Sequence, residues 1–239
     1  KTMFLAQQLY EGIDVGSSGT VGLISYIRTD STRLSQEAQR GAANFIKNKY
    51  GDKFLKSKKR RNKKSKNSQD AHEAIRPTDV ERTPEKMKKY LNNDQYKLYN
   101  LIWKRFTASQ MSPALYESIS AQFKAGEKYK FRVSGSRLLF PGHLILTGKS
   151  KEDKINLPVF KEGDKYKLVD TNPEQHFTTP PPRYSEATLV KTLEEEGIGR
   201  PSTYAPTLST IVSRDYVKKE SKYLKPTELG ETVTELLTE

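Results

Sequence analysis

The sequence predicts an α+β protein built from several small units rather than around one deep core. Three observations predict this class: amphipathic helical patterns fill the first part of the chain, alternating apolar stretches begin near residue 113, and helical patterns return after residue 183. Hydrophobic residues make up 34% of the 239 residues, which is polar for a globular chain, but the aromatic content of 10% is too high for a disordered one.

The first part of the chain is predicted to be rich in helices. Residues 2–11 show a helical pattern, and residues 21–27 are rich in β-branched and apolar side chains, which indicates a short buried strand. Ser35 is a good N-cap for a helix over about 36–49, whose apolar face is formed by Ala38, Ala42, Phe45 and Ile46. A further helix is expected over about 94–110, with one apolar face formed by Tyr99, Ile102, Trp103 and Phe106.

The middle part has the pattern of a small β domain. Four stretches alternate or run apolar between glycine-containing turns: 115–123, 128–134, 137–146 and 164–170. Three successive prolines, Pro180 to Pro182, then form a stiff connector. We therefore divide the chain into three predicted domains: 1–112, 113–182 and 183–239.

The last part has the outline of a winged helix-turn-helix. Ser185 caps a predicted helix over about 186–196, and a second helix runs to about Ser213. Residues 215–217 and 222–225 are expected to form the β-hairpin that serves as the wing.

The formal net charge is +13 at pH 7, and most of it comes from one segment. Residues 53–66 hold nine basic residues and no acidic one. Such a run is either an arm that seeks the phosphates of DNA or RNA or a solvated loop that tolerates lysine, and charge patterning alone does not separate the two. The high overall pI is therefore weak support for nucleic-acid binding.

The residue inventory excludes several kinds of site. The absence of cysteine excludes disulfides and thiolate zinc sites, and the three histidines are far apart without metal-ligand spacing. The acidic run 194–196 is expected to be a solvated face, because successive helical positions point in different directions. No metal site is predicted within the chain. No apolar run reaches the length of a membrane span and no signal peptide opens the chain, so we expect a cytoplasmic protein.

Two segments are candidates for chemistry on phosphates. Tyr26 ends the predicted strand two residues before Arg28, and in an extended segment both side chains lie on the same side, where they could meet one phosphate. A tyrosine hydroxyl, with a pKa of about 10, needs such positive charge to act as a nucleophile. Ser202 and Thr203, just after Arg200, form a second predicted phosphate corner of hydroxyls and helix N-terminal N–H groups. The alternatives are a surface tyrosine before a capping turn and a capped turn with one exposed arginine.

Taken together, five motifs resemble those of bacterial type IA DNA topoisomerases, and they occur in that family's order. They are GLISYIRTDST at 22–32, QDAHEAIRPT at 69–78, FTASQM at 106–111, PPRYSEA at 181–187 and GIGRPSTYA at 197–205. Each motif is weak alone, but the ordered set is specific and spans nearly the whole chain. The Tyr-Ile-Arg and Gly-Arg-Pro-Ser-Thr-Tyr sequences are similar to topoisomerase I rather than topoisomerase III.

The resemblance implies a fragment of a multidomain toroid with a tyrosine domain, a β hinge and a helical domain that binds single-stranded DNA. It implies that Tyr26 attacks a phosphodiester of single-stranded DNA and becomes joined to the 5′ phosphate, while Arg28 positions that phosphate. It further implies that the DNA backbone is held by six residues: His72, Arg76, Arg200, Ser202, Thr203 and Arg214.

The resemblance also implies what the whole enzyme does: it relaxes negative supercoils by strand passage, and religation needs no ATP. Mg²⁺ would be bound by a Toprim domain outside these residues, so a fragment that begins inside a helix and without an initiator Met is expected to bind DNA but not to relax it. A monomer in the bacterial cytoplasm, associated with the nucleoid, is expected. Two readings compete with this one: a non-enzymatic basic winged-helix DNA-binding module, and a tyrosine recombinase, which needs a more extensive set of Arg and His around its tyrosine.

Overall fold

The computed structural model describes residues 1–56, 72–148 and 157–238 and confirms the α+β class. Its helices and strands are, in chain order, α1 Thr2–Glu11, β1 Ile13–Asp14, β2 Thr20–Val21, α2 Gln36–Tyr50, α3 Pro84–Met87, α4 Asn93–Gln110, β3 Leu115–Ala125, β4 Tyr129–Phe140, α5 Leu144–Thr147, α6 Glu186–Glu195, α7 Tyr204–Ser213, β5 Val217–Glu220, β6 Tyr223–Pro226 and α8 Glu228–Thr238. The named strands pair as three antiparallel two-stranded sheets, β1-β2, β3-β4 and β5-β6. Within the described ranges, no helix has both the length and the apolar character that a membrane span requires.

The chain divides into two compact units. The described part of the first unit is 1–27, 32–56, 73–148 and 157–171, and that of the second is 28–31, 72 and 172–238. Most of the basic run at 53–66 lies outside the described residues, which stop at residue 56 and resume at residue 72. The three-part division of the sequence stays a prediction.

The core of the first unit lies where α2 and α4 meet, and the predicted apolar faces of both helices are confirmed. Phe45 and Ile46 of α2 are buried, as are Tyr99, Trp103 and Phe106 of α4. The rings of Phe45 and Trp103 meet edge to face at 5.5 Å between centroids. These two residues are about sixty positions apart in the sequence, so their contact joins two helices that are distant along the chain.

Capping residues fix where the helices of this unit begin and end. The Ser35 hydroxyl accepts the Ala38 N–H at 3.2 Å, as the sequence predicts for the start of α2. Asn92 and Gln95 form a reciprocal capping box at the start of α4, which the sequence analysis did not identify. Gly12 ends α1 with φ of +135°, a backbone conformation that residues with a Cβ rarely adopt.

The predicted strand over 21–27 is wrong. Only Thr20–Val21 pairs as a strand there, and Ile24 makes a single antiparallel bridge with Pro77. The segment does not form a ladder because its backbone groups are divided between two neighbours: the Leu23 N–H donates to Leu9 O of α1, and the Leu23 carbonyl accepts the Thr78 N–H. Burial of Leu23 and Ile24 explains the apolar run that suggested a strand.

The predicted strands are found in the β3–β4 hairpin but not in the residues that follow it. Strand β4 continues through Gly135 and Ser136, where the sequence predicted a break, because those two residues keep pairing with β3. Residues 144–146, predicted as the end of a strand, lie instead in the short helix α5, which packs on α4. The stretch 164–170, also predicted as a strand, is not one: no neighbouring strand pairs with it among the described residues.

The second unit confirms the helix-turn-helix and its wing. Ser185 caps α6 by accepting the Thr188 N–H at 3.2 Å, and β5 and β6 form the predicted hairpin. Helix α8, which the sequence analysis did not predict, packs so closely that a Cβ on Gly230 would lie 2.1 Å from Tyr216 O. The Tyr184 carbonyl accepts the Leu224 N–H at 2.7 Å, which ties the wing to the residues just before α6.

We expect Phe45→Ala to destabilise the first unit by about 3–5 kcal/mol, because it removes a buried ring and leaves a cavity against Trp103. Urea unfolding followed by the fluorescence of Trp103, the only tryptophan, measures this directly. The matched control is Leu101→Ala on the exposed side of α4, where the expected change is below about 0.5 kcal/mol. Equal losses in the two variants would contradict the position of the core.

Candidate active site

The segment that leads to Tyr26 lies beside a second motif of the sequence. Residues 22–26, here called the Tyr26 segment, run antiparallel to residues 74–78, with Ile24 opposite Pro77. The Ser25 N–H donates to Arg76 O at 2.9 Å, and the Thr78 N–H donates to Leu23 O at 3.0 Å. Two motifs that are about fifty residues apart in sequence therefore form one backbone-paired platform.

Two hydroxyl groups fasten this platform. The Ser25 hydroxyl donates to Ala74 O and accepts the Arg76 N–H, both at 2.9 Å. The Thr78 hydroxyl donates to Gly22 O at 2.7 Å. The Ser25 hydroxyl thus holds the residues on both sides of Ile75, and it fixes the backbone directly before Tyr26.

The Tyr26 segment is also held against the end of α1. The Leu23 N–H donates to Leu9 O at 2.7 Å, and a Cβ on Gly22 would lie 2.6 Å from Tyr10 O. Only glycine fits position 22 without moving the backbone of α1. The platform is therefore anchored on one side by α1 and on the other by residues 74–78.

Tyr26 itself lies at the accessible end of the platform. Its side chain is 37% exposed, and its ring meets that of Tyr10 edge to face, with centroids 5.5 Å apart. Ile27, the next residue, is only 5% exposed and belongs to the core. The tyrosine is thus held between a buried residue and an aromatic neighbour, with part of its surface open to a ligand.

Arg28 is exposed and belongs to the second unit, in which residues 28–31 are grouped. Residues 27 and 28 form a bend rather than the extended end of a strand, so the predicted backbone is not found here. Tyr26 and Arg28 are exposed and Ile27 between them is buried, and the predicted meeting of Tyr26 and Arg28 at one phosphate stays a prediction.

Arg76 is engaged with Glu73 in the first unit. Its Nε lies 2.7 Å from a carboxylate oxygen of Glu73, the two side chains are 18% and 26% exposed, and its Nη1 donates to Pro77 O. Burial opposes ionisation of Glu73, but the hydrogen bond and charge of Arg76, with hydrogen bonds from Ser35, outweigh it and lower the pKa of Glu73. The platform is thereby linked to the N-cap of α2. His72, two residues before Ala74, is half-buried and belongs to the second unit.

The predicted phosphate corner of the second unit is more self-contained than the sequence suggests. The Thr203 hydroxyl accepts the Arg200 N–H at 2.8 Å and donates to Arg200 O at 3.0 Å. The N–H groups of Thr203 and Tyr204 also donate to Arg200 O. These bonds occupy donors that were expected to face a ligand, while the side chains of Arg200 and Ser202 are exposed.

Gly199 makes this turn possible. Its φ is +76°, and a Cβ there would lie 2.9 Å from the Thr203 hydroxyl oxygen. Burial, with the nearby charges of Glu194 and Asp30, raises the pKa of Tyr204 at the start of α7 although Arg200 opposes the shift. Asp30 therefore lies close to this turn within the second unit, which sequence reasoning did not foresee.

Arg214 is not part of the corner. It caps the C-terminal end of α7, about 16 Å along the helix from Thr203 at 1.5 Å per residue. Its charge is favourable for the C-terminal end of the helix dipole. The structure thus places Arg200, Ser202 and Thr203 together and Arg214 at the opposite end of the same helix.

The described residues do not supply a metal site. Within 1–56, 72–148 and 157–238, no group of three or more His, Asp or Glu side chains is placed to hold an ion. The residues present therefore do not fit the Mg²⁺ that the resemblance implies, and we derive no step through it.

Sequence reasoning missed Ser25, Glu73 and Tyr10, although each shapes the surroundings of Tyr26 or Arg76. Glu73 was detectable, because it lies three residues before Arg76 inside a motif already singled out. Ser25 and Tyr10 carry no such signal, since their partners come from distant parts of the chain.

Comparison with known proteins gives a consistent result. The family model described as DNA topoisomerase, Topoisom_bac, matches residues 1–239. The structure of full-length topoisomerase I from Thermotoga maritima, in a monoclinic crystal form, is similar at 43% sequence identity with a TM-score of 0.87. The match covers 99% of this chain and 38% of the Thermotoga chain, so this chain spans well under half of that protein's length.

We expect Glu73→Gln to lower the free energy of unfolding by about 1–2 kcal/mol at neutral pH, because it removes a charge-assisted hydrogen bond in a half-buried site. The folded pKa of Glu73 lies below its ordinary value of 4.5, so the contribution is fully present above pH 4.5 and is lost as the pH falls through the folded pKa. Urea unfolding at a series of pH values should therefore show the two proteins converging in acid. Glu127→Gln, in the exposed turn between β3 and β4, is the control. A difference from wild type that is unchanged at pH 3 would contradict the assignment.

Proposed function

Because the chain belongs to the bacterial DNA topoisomerase family, we propose that it carries the strand-cleaving tyrosine of a type IA topoisomerase and that this residue is Tyr26. The resemblance that the motifs predicted is confirmed by the family match. The observation that supports the assignment to Tyr26 is its partly exposed side chain at the end of a backbone platform that α1 and residues 74–78 hold in place. Rigid support of a reacting group is what lowers the entropy cost of reaction.

In the proposed step the Tyr26 hydroxyl oxygen attacks the phosphorus of a phosphodiester in single-stranded DNA. An oxygen–phosphorus bond to the tyrosine forms at the 5′ phosphate, the bond to the 3′ oxygen breaks, and the proton lost by the tyrosine is balanced by one gained at the 3′ oxygen. One phosphate ester is exchanged for another, so the reverse reaction reseals the strand without ATP. Passage of a strand between the two events would relax negative supercoils.

Arg28 is proposed to bind the phosphate under attack. A guanidinium can donate two parallel hydrogen bonds to phosphate oxygens and stabilise the charge that develops in the transition state. Arg28 is exposed and lies two residues after the proposed nucleophile.

His72 and Arg76 are proposed to contact the backbone of the cleaved strand. Arg76 uses its Nε and Nη1 donors within the protein, towards Glu73 and Pro77, and an arginine carries five N–H donors. Its Nη2 group therefore remains as the donor proposed to reach a phosphate. The bond to Glu73 would hold the guanidinium in a fixed orientation for this contact.

The second unit is proposed to hold the single strand. Arg200 and Ser202 present exposed side chains at the start of α7, where Thr203 fixes the turn, and Arg214 would meet a separate phosphate at the other end of the helix. We further propose that the Mg²⁺ ligands of the complete enzyme lie outside the described residues, that it is a monomer, and that it acts in the cytoplasm at the nucleoid.

A second candidate function is a non-enzymatic DNA-binding module. The winged helix-turn-helix of α6, α7 and the β5–β6 hairpin supports it, because this arrangement suffices to bind DNA without chemistry. A DNA-binding module of this kind does not require the platform that supports Tyr26. Formation of a covalent adduct separates the two functions.

We expect Tyr26→Phe in the complete enzyme to abolish the covalent adduct with single-stranded DNA and to leave the affinity nearly unchanged. The substitution removes one oxygen and keeps the ring that packs on Tyr10. The measurement compares adduct yield on 5′- and 3′-labelled oligonucleotides with the dissociation constant from anisotropy. Tyr10→Phe is the matched control and should still form the adduct. Adduct formation by Tyr26→Phe at the wild-type level would place the nucleophile elsewhere.

Arg28→Ala is expected to slow cleavage by about 10²–10³-fold without abolishing it, because the nucleophile remains and a transition-state donor is lost. Arg28→Lys should restore only part of the rate, since an ammonium cannot donate two parallel bonds. Single-turnover cleavage rates of both variants and of wild type measure the effect. An Arg28→Ala rate equal to wild type would remove Arg28 from the reaction.

Arg200→Ala is expected to weaken single-strand binding while leaving the melting temperature unchanged, because the exposed guanidinium makes only one described contact, to Gly199 O. The matched comparison is Thr203→Ala, which removes the hydroxyl that closes the turn and should lower the melting temperature as well. A large loss of thermal stability in Arg200→Ala with unchanged affinity would show that the residue is structural.

A further inference from the structure

The β3–β4 hairpin has two chemically different faces. Eleven residue pairs join its strands, and one face is apolar near the turn, with Ile119, Ala121, Phe123, Phe131 and Val133, and carries the Glu117–Arg137 ion pair further along. This face is partly covered within the first unit, because the Phe123 ring meets those of Phe160 and Tyr166 at 5.3 and 5.4 Å between centroids, whereas Phe131 is 47% exposed. No residue of the opposite face has a role in the proposed function.

The opposite face begins with Tyr116 and Leu138 at the end far from the turn, is polar beyond them and is cationic near the turn. Four serines lie along it, Ser118, Ser120, Ser134 and Ser136, and the hydroxyls of Ser120 and Ser134 are 3.4 Å apart. Nearer the turn it carries Gln122, Lys124, Lys130 and Arg132, all exposed. We call Lys124, Lys130 and Arg132 the cationic end of the hairpin. The register places no acidic residue on this face.

The cationic end contains a pair of like charges that destabilises the hairpin. Lys124 and Lys130 are directly opposite each other in the register, and like charges in that position destabilise a strand pair. Among the described residues neither lysine nor Arg132 forms an ion pair, whereas Arg137 on the other face pairs with Glu117 at 2.8 Å. A bound polyanion would neutralise the repulsion between the two lysines. The positive charge of this end therefore complements a negatively charged partner.

We infer that the cationic end of the β3–β4 hairpin is a docking surface for the phosphate backbone of duplex DNA. Lysine and arginine side chains and serine hydroxyls suit contact with phosphates and sugars. A single strand is bound by stacking its bases on aromatic rings, and at this end Tyr129 and Phe131 lie on the other face. The inference rests on the proposed function in taking DNA as the partner, but it concerns a duplex segment rather than the strand that Tyr26 cleaves.

The test compares two triple variants of the full chain, each of which loses two lysines and one arginine. The first is K124Q/K130Q/R132Q, and the control is K97Q/R105Q/K165Q, whose three positions are exposed elsewhere in the same unit. Affinity for a blunt duplex and for a single strand of equal length is measured between 50 and 200 mM salt. For the duplex, the slope of log K against log salt should fall in magnitude by about 2.7 in the first variant, at about 0.9 per contact.

The control variant should keep most of the wild-type slope, and the melting temperature of K124Q/K130Q/R132Q should be equal to or above that of wild type, because the lysine repulsion is gone. Equal slopes in the two variants would overturn the inference and leave the function proposed for Tyr26 intact. A change confined to the single strand would also overturn it, in favour of a single-strand site. Failure of wild type to bind either DNA would instead count against the proposed function itself.

Discussion

The backbone pairing between the Tyr26 segment and residues 74–78 is the constraint on which the candidate site depends. It joins two distant parts of the chain through the N–H groups of Ser25 and Thr78, and the Ser25 hydroxyl adds two more bonds. A hydroxyl in that position satisfies a backbone carbonyl and a backbone N–H at once, so the segment needs no further strand to be rigid. Position, rather than an unusual side chain, is what makes Tyr26 different from the other tyrosines of the chain.

The sequence predicted the helices well because their information is local. The amphipathic faces of α2 and α4 and the caps Ser35 and Ser185 depend on residues within one or two turns, and all were confirmed. The strand predicted over 21–27 was wrong because an apolar run indicates burial, not pairing. Which neighbours its backbone groups would find depended on α1 and on residues 74–78, about fifty positions further on.

At the candidate site, even contacts between residues close in sequence were not all predicted. Motif order predicted the family, which the family match confirms, and it singled out the segments of Tyr26, Arg76 and Arg200, whose roles stay predictions. The ion pair of Arg76 with Glu73 and the closed turn of Arg200 with Thr203 were not predicted, although both pairs are three residues apart. A separation of three residues permits such a contact. It does not show whether the side chain binds within the protein or binds a ligand, because an arginine and a hydroxyl can do either. Only the placed side chains show that each residue already has an internal partner and how many donors are left.

The division of the chain into two units between Ile27 and Arg28 bears on how Tyr26 and Arg28 can act together. Tyr26 is fixed to the platform of the first unit, and Arg28 is grouped with the second. Only Ile27 lies between them, so their Cα atoms are at most about 7 Å apart whatever arrangement the units adopt. Ile27 is buried, which fixes the one residue that could otherwise loosen the connection. The residue proposed as the nucleophile and the residue proposed as its phosphate ligand are therefore kept close to each other by covalent spacing alone.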